Sequence, residues 1–171
     1  MQKKIFSTQM MAVLSVLLAL EVIIARFGTI RPSESTKLSL DFIPVVIAAI
    51  LYGPIPAVVM SILADILGAF LFPVGPFFPG FTLTAALTGL IYGMLLHKSQ
   101  SFPRILSAVL LQQLLCSMLL NTFWLHVLYG MPYLPTMAAR LIQCAVMAAL
   151  QLVMIPILVK TIQSLEKRQK S

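Results

Sequence analysis

A few polar side chains sit inside otherwise apolar runs of this sequence: Glu21, Arg26, Asp65, Asn121 and Arg140. Each is expensive to place in a membrane and needs a reason. An arginine presents a planar fork that matches a carboxylate bidentately, so Arg26 and Arg140 are candidates to hold an anionic ligand group. The bland alternative is that Asp65 simply balances one of them inside the fold. Asn121 and Trp124 are three residues apart and share one side of a helix. An aromatic platform beside an amide suits a flat heteroaromatic ligand. Phe77, Phe78, Phe81, Tyr129 and Tyr133 fall near the same level. For the two tyrosines an interfacial aromatic belt is an equally good reading.

Other chemistry is missing. There is no G-x-x-x-x-G-K-[ST] run to cradle a nucleotide and no H-E-x-x-H or serine elbow. His97 and His126 belong to opposite ends of their segments, too far apart to share a metal. Cys116 and Cys144 lie in apolar runs without a C-x-x-C pair, as small core residues do. The expectation is a protein that binds rather than catalyses, with no cofactor and no metal.

The elements that must position these groups follow from composition. Of the 171 residues, 60% are hydrophobic and 10% charged, and the mean hydropathy is +0.99. A water-soluble domain needs a charged surface, so this chain belongs in lipid. The runs are continuously apolar rather than alternating, which selects helices over a barrel. Six spans are predicted, at about 6–27, 38–52, 54–72, 80–97, 103–128 and 134–160, forming a single all-α domain over 1–171. The first follows Lys3 and Lys4 but has no small-residue cleavage site, so it reads as a retained span rather than a signal peptide.

Charge sets the orientation. The net charge of +7 forms no stripe for nucleic acid; its lysines and arginines lie at segment boundaries. With both ends inside, Lys3, Lys4, Lys98, Arg104, Lys160, Lys167, Arg168 and Lys170 are cytoplasmic. Arg26, Arg31, Lys37 and Arg140 then lie at or near the outer side. The loops 28–37, 73–80 and 129–133 face outward. Asp65 is seven residues before Phe72, hence roughly 10 Å below the outer end, and Asn121 is at a similar depth. The polar groups therefore describe a cup in the outer half, above an almost purely apolar inner half. Small residues form two stripes, Ala12, Ser15 and Ala19 on the first helix and Ala85, Gly89 and Gly93 on the fourth. Such stripes allow close helix approach. The fourth suits packing within the bundle; the first suits either packing or docking of another protein.

Three segments carry a family resemblance: Ala64-Asp65-Ile66-Leu67-Gly68, the run Phe72-Pro73-Val74-Gly75-Pro76-Phe77-Phe78-Pro79-Gly80-Phe81-Thr82, and Asn121-Thr122-Phe123-Trp124-Leu125. With them the chain resembles an S component of an energy-coupling factor (ECF) vitamin transporter, most closely the folate-specific subgroup. The resemblance spans the whole chain. It implies a cell-membrane subunit that binds vitamin from outside and docks on a membrane coupling subunit. Two partner ATPase subunits would hydrolyse the ATP. It further implies a division of labour for folate. Phe77, Phe81 and Trp124 would stack the pterin, Asn121 and Asp65 would bond it in plane, and Arg26 and Arg140 would take the glutamate tail, with Tyr129 nearby. Ala12, Ser15 and Ala19 would form the docking face. The competing expectations are an S component for riboflavin or thiamine, and a membrane scaffold protein with no ligand.

Overall fold

The computed structural model describes residues 7–33, 36–73 and 75–169. Lys3, Lys4 and Lys170, which enter the charge count above, lie outside the described residues, as does Val74.

Helix α1 (Thr8–Phe27) begins where the Ser7 side chain accepts a hydrogen bond from the Met10 amide at 3.2 Å, and ends at Gly28. The chain then forms a hairpin, β1 (Thr29–Ser33) and β2 (Thr36–Ser39), pairing Thr29 with Ser39 and Ile30 with Leu38. The polar stretch expected to be a loop is therefore largely strand. Its β-branched Thr29, Ile30 and Thr36 favour extended backbone. The register slips between Ile30 and Ser33, where Pro32 has no N–H to give to the ladder.

This hairpin shortens the second predicted span. Helix α2 (Phe42–Tyr52) has 11 residues, about 16 Å at 1.5 Å each, against a hydrocarbon core of about 30 Å. It survives because it is wrapped by other helices. Val46, Ala48 and Ala49 are fully buried, and α1, α3, α4 and α7 all contact it. Gly53, with φ of +87°, reverses the chain into α3 (Pro54–Leu71). Prolines stand in the first turns of α3, α4 (Pro79–Leu96) and α5 (Phe102–Leu111), where a missing N–H costs nothing.

The fifth predicted span is continuous but not uniform. After α5 comes a π-helical segment, Gln112–Leu120, then α6 (Asn121–Tyr129). Gly130, with φ of +66°, closes α6. The last helix, α7 (Tyr133–Gln169), runs 37 residues and continues past the predicted end of the sixth span, carrying Lys167 and Arg168 in its final turn. Among the described residues, five helical stretches are long and apolar enough to cross a membrane: α1, α3, α4, the α5–α6 stretch and α7. The short α2 accompanies them.

Packing is closest between α3 and α4. A Cβ on Gly93 would stand 2.3 Å from Pro54 Cα, and one on Gly89 would stand 2.8 Å from the Ala57 carbonyl oxygen. Gly89 and Gly93 of the small stripe on α4 thus serve helix packing, as expected. The stripe on α1 does not. Ala12, Ser15 and Ala19 are exposed, while the same helix buries Leu17 and Val22. Large apolar side chains cover much of the outer surface, including Phe70, Leu134, Ile142 and Val153, which suits contact with hydrocarbon.

Candidate ligand cavity

Between α1, the hairpin, α2, α3, α4, the π segment and α7 lies a cavity of about 1010 Å³. That is at the upper end of the range for small-molecule sites, roughly 300–1,000 Å³. Seven of the eight ligand-site residues expected from the sequence reach its wall: Arg26, Asp65, Phe77, Phe81, Asn121, Tyr129 and Arg140.

Local packing fixes several of them. Arg26, from the last turn of α1, lies against Gly68 of α3, where an added Cβ would fall 2.9 Å from both Nε and Nη2. One turn earlier on α3, Asp65 Oδ2 accepts a hydrogen bond from Thr82 Oγ1 at 2.7 Å. Arg140 is 6% exposed and lies well inside α7. Phe77 stacks on Phe70 with ring centroids 5.4 Å apart, and Phe81 meets Phe78 edge-on at 6.1 Å. Tyr129 closes over the loop before α4: its hydroxyl is so near Gly75 that a Cβ there would come within 2.6 Å of it.

Trp124, expected to stack on the ligand, is the exception among the eight. It does not line the cavity. Its indole N–H donates to Thr84 Oγ1 at 3.0 Å, and Thr84 in turn donates to the Gly80 carbonyl at 3.1 Å. Its ring packs on Phe78 and Phe123 at centroid distances of 5.6 and 5.0 Å. Trp124 therefore buttresses the start of α4 from behind.

The structure also adds residues that sequence reasoning passed over. Glu21, a polar residue near the end of the first span by sequence, is on the wall. So are Lys37 and Asp41, which form an ion pair. Among the described residues the wall then carries three carboxylates (Glu21, Asp41, Asp65) and three cations (Arg26, Lys37, Arg140). Four glutamines complete it: Gln112 and Gln113 from the π segment, Gln143 and Gln151 from α7. Gln151 is eleven residues beyond Arg140, about 16 Å further along the helix, so the cavity floor is amide-lined and not apolar as expected. The π segment contributes Ser117 as well, and Asn121 follows directly after it. π-helical turns recur at functional sites. Cys144 on α7 donates weakly to Ser117 Oγ at 3.6 Å, knitting the two helices together, and Cys116 is fully buried.

Apolar helices around a deep pocket of amides, charges and aromatics define a multi-pass membrane protein that binds a small polar solute. Residues 9–164 match the family described as "ECF transporter, substrate-specific component", and the chain belongs to that family. It is 32% identical to the folate transporter FolT of Clostridium novyi (strain NT) over 146 residues, 85% of this chain and 84% of that one. To the folate transporter FolT of Leuconostoc mesenteroides subsp. mesenteroides it is 31% identical over 124 residues, 71% of this chain and 66% of the relative. A solved structure described as the crystal structure of FolT bound with folic acid has a TM-score of 0.82 and 32% identity, covering 87% of this chain and 91% of that one.

Proposed function

We propose that this chain is the folate-binding subunit of an ECF-type importer in the cell membrane. One observation carries the reading beyond the family: the cavity offers what each part of folate requires. The anionic glutamate tail requires cations, and Arg26 and Arg140 are on the wall. The flat rings require aromatic faces, which Phe77 and Phe81 provide. The pterin edges require in-plane hydrogen-bonding groups, and carboxylates, amides and hydroxyls line the same space. The likeness to a FolT structure holding folic acid supports this assignment. In this reading both chain ends are cytoplasmic, and the hairpin, the 75–78 loop and the 130–132 turn lie on the outer side. Ligand enters from there. A membrane coupling subunit and two ATPases then drive its release inward, since this chain carries no nucleotide motif. The small-residue face of α1 is where the coupling subunit docks.

The test is isothermal titration of the purified subunit with folate, pteroate, riboflavin and thiamine. Folate is expected to bind more tightly than riboflavin or thiamine by about 100-fold or more, roughly 2.7 kcal/mol. Equal or tighter binding of riboflavin or thiamine refutes the ligand assignment. Purification in mild detergent is expected to bring down one larger membrane subunit and two ATPases.

A further inference from the structure

Among the described residues, five side-chain carbonyl or carboxylate oxygens on the cavity wall are buried with no hydrogen-bond partner within the protein. They are Glu21 Oε2, Gln112 Oε1, Asn121 Oδ1, Gln143 Oε1 and Gln151 Oε1. Gln143 and Gln151 are 6% and 1% exposed, so these are interior groups and not surface ones. Buried acceptors left without donors are costly and rare in native folds. An amide can be flipped to offer its nitrogen instead. Two of the five cannot exchange roles in that way. Gln143 Nε2 already donates to the Lys37 carbonyl at 2.6 Å, which leaves its oxygen as the unused end. Glu21 has no donor to offer when ionised.

The other two carboxylates on the wall are engaged, Asp65 with Thr82 and Asp41 with Lys37. Asp41 and Asp65 act on Glu21 as like charges and Lys37 as the opposite one, and Lys37 is already paired with Asp41. An anionic tail gains no unshared cation beside these carboxylates. Arg26, five residues and about 7.5 Å further along α1, is the better place for it. What Glu21 suits is the donor-rich end of a ligand. A 2-amino-4-oxopyrimidine ring presents its exocyclic amine and its N3–H side by side in one plane. Those two donors match the two oxygens of one carboxylate, the fork geometry that makes guanidinium–carboxylate pairs bidentate. A 2,4-dioxo ring puts an oxygen where the amine stood and meets the carboxylate with repulsion.

We propose that Glu21 is the specificity-determining residue of the cavity, accepting the paired N–H donors of a 2-amino-4-oxopyrimidine edge, with Gln143 Oε1 as a second acceptor for that ring. The proposal rests on the reading of the ligand as folate, whose pterin contains this ring, and it sets the ligand's polarity: pterin toward Glu21 and Gln143, tail toward Arg26.

The experiment titrates wild type, Glu21→Gln and Glu21→Asp with folate and with its 2-deamino-2-oxo analogue, and records each protein's melting temperature. Wild type is expected to prefer folate by about tenfold or more, because a site built to receive a donor rejects an analogue lacking it. Glu21→Gln is expected to lose folate affinity by about 10- to 100-fold and to discriminate between the ligands by about threefold or less. Glu21→Asp, which keeps the charge one methylene short, is expected to bind folate more weakly and keep the preference. Folate binding by Glu21→Gln at the wild-type level, or equal loss of both ligands, overturns the proposal. Should Glu21→Gln not fold, Glu21→Asp decides: weaker folate binding with the preference retained supports it, and unchanged affinity overturns it. If wild type itself binds no folate, the functional reading fails and this one with it. If wild type binds folate and the variants match it, only the role of Glu21 fails.

Discussion

Gly68 determines where the Arg26 guanidinium can lie. A Cβ there meets only the far end of that flexible side chain, so the arginine yields before the backbone does. Gly68→Val is therefore expected to leave the melting temperature nearly unchanged. Folate affinity should drop by about tenfold, as expected for losing a charged hydrogen bond, with pteroate, which lacks the tail, little affected. Trp124→Ala should behave oppositely. It removes a buttress behind the cavity, so a destabilisation approaching 3 kcal/mol is expected, with all ligands hit alike. Titration and thermal melting of both variants separate the two roles; selective loss of pterin binding without a stability change in Trp124→Ala would restore the stacking platform. The contrast shows what was legible at this scale. Arg26, Asp65, Asn121 and Arg140 announced themselves because a charge or amide in an apolar run is conspicuous. The place of Trp124 was less legible, because a spacing of three leaves two side chains about 60° apart around a helix. That is enough for Asn121 to face the cavity and Trp124 to turn onto Thr84 and Phe78. The glutamines are less legible because a neutral amide carries no charge to draw attention, although Gln112, Gln113, Gln143 and Gln151 all line the cavity.

Elements were legible where they are long and apolar. The hairpin was not, because polar β-branched residues between two spans read equally as loop. The π segment was not either, since a shift of hydrogen-bond register leaves no mark in the hydropathy pattern. Close packing of α4 on α3 was legible, because Gly89 and Gly93 repeat at a helical interval. It supports a prediction about the frame alone. The neighbour of Gly93 is Pro54 backbone, which cannot swing aside as an arginine can. Gly93→Val must therefore part the two helices. Overpacking of this kind costs about 1–3 kcal/mol. Melting curves in detergent are expected to show a clear loss of stability, while the fraction still folded binds folate normally. An unchanged melting temperature means that α3 and α4 are less tightly joined than these distances imply.

At the scale of the whole molecule, one surface lacks a reason of its own. Lipid rewards bulk, and elsewhere the protein presents it: Ile142 and Leu134 are 71% and 70% exposed. On α1, exposed Ala12, Ser15 and Ala19 interrupt that bulk with a shallow strip, bordered by exposed Met11, Val16 and Ile23. Ser15 turns its hydroxyl back to the Met11 carbonyl at 2.8 Å, so it offers no polar group outward. Small residues let two helices approach closely, and among the described residues the strip stays exposed. On the function proposed above, in which other subunits supply the energy, we propose that strip as the place where the coupling subunit fits. Ser15→Trp and Ala19→Trp fill it without touching the cavity wall, which includes neither residue. Both variants are expected to bind folate like wild type as isolated subunits, yet to abolish folate uptake by whole cells and to stop co-purifying with the coupling subunit. Loss of binding in the isolated variants would mean that the strip supports the fold instead. Normal uptake with normal binding would mean that the docking face lies on another helix.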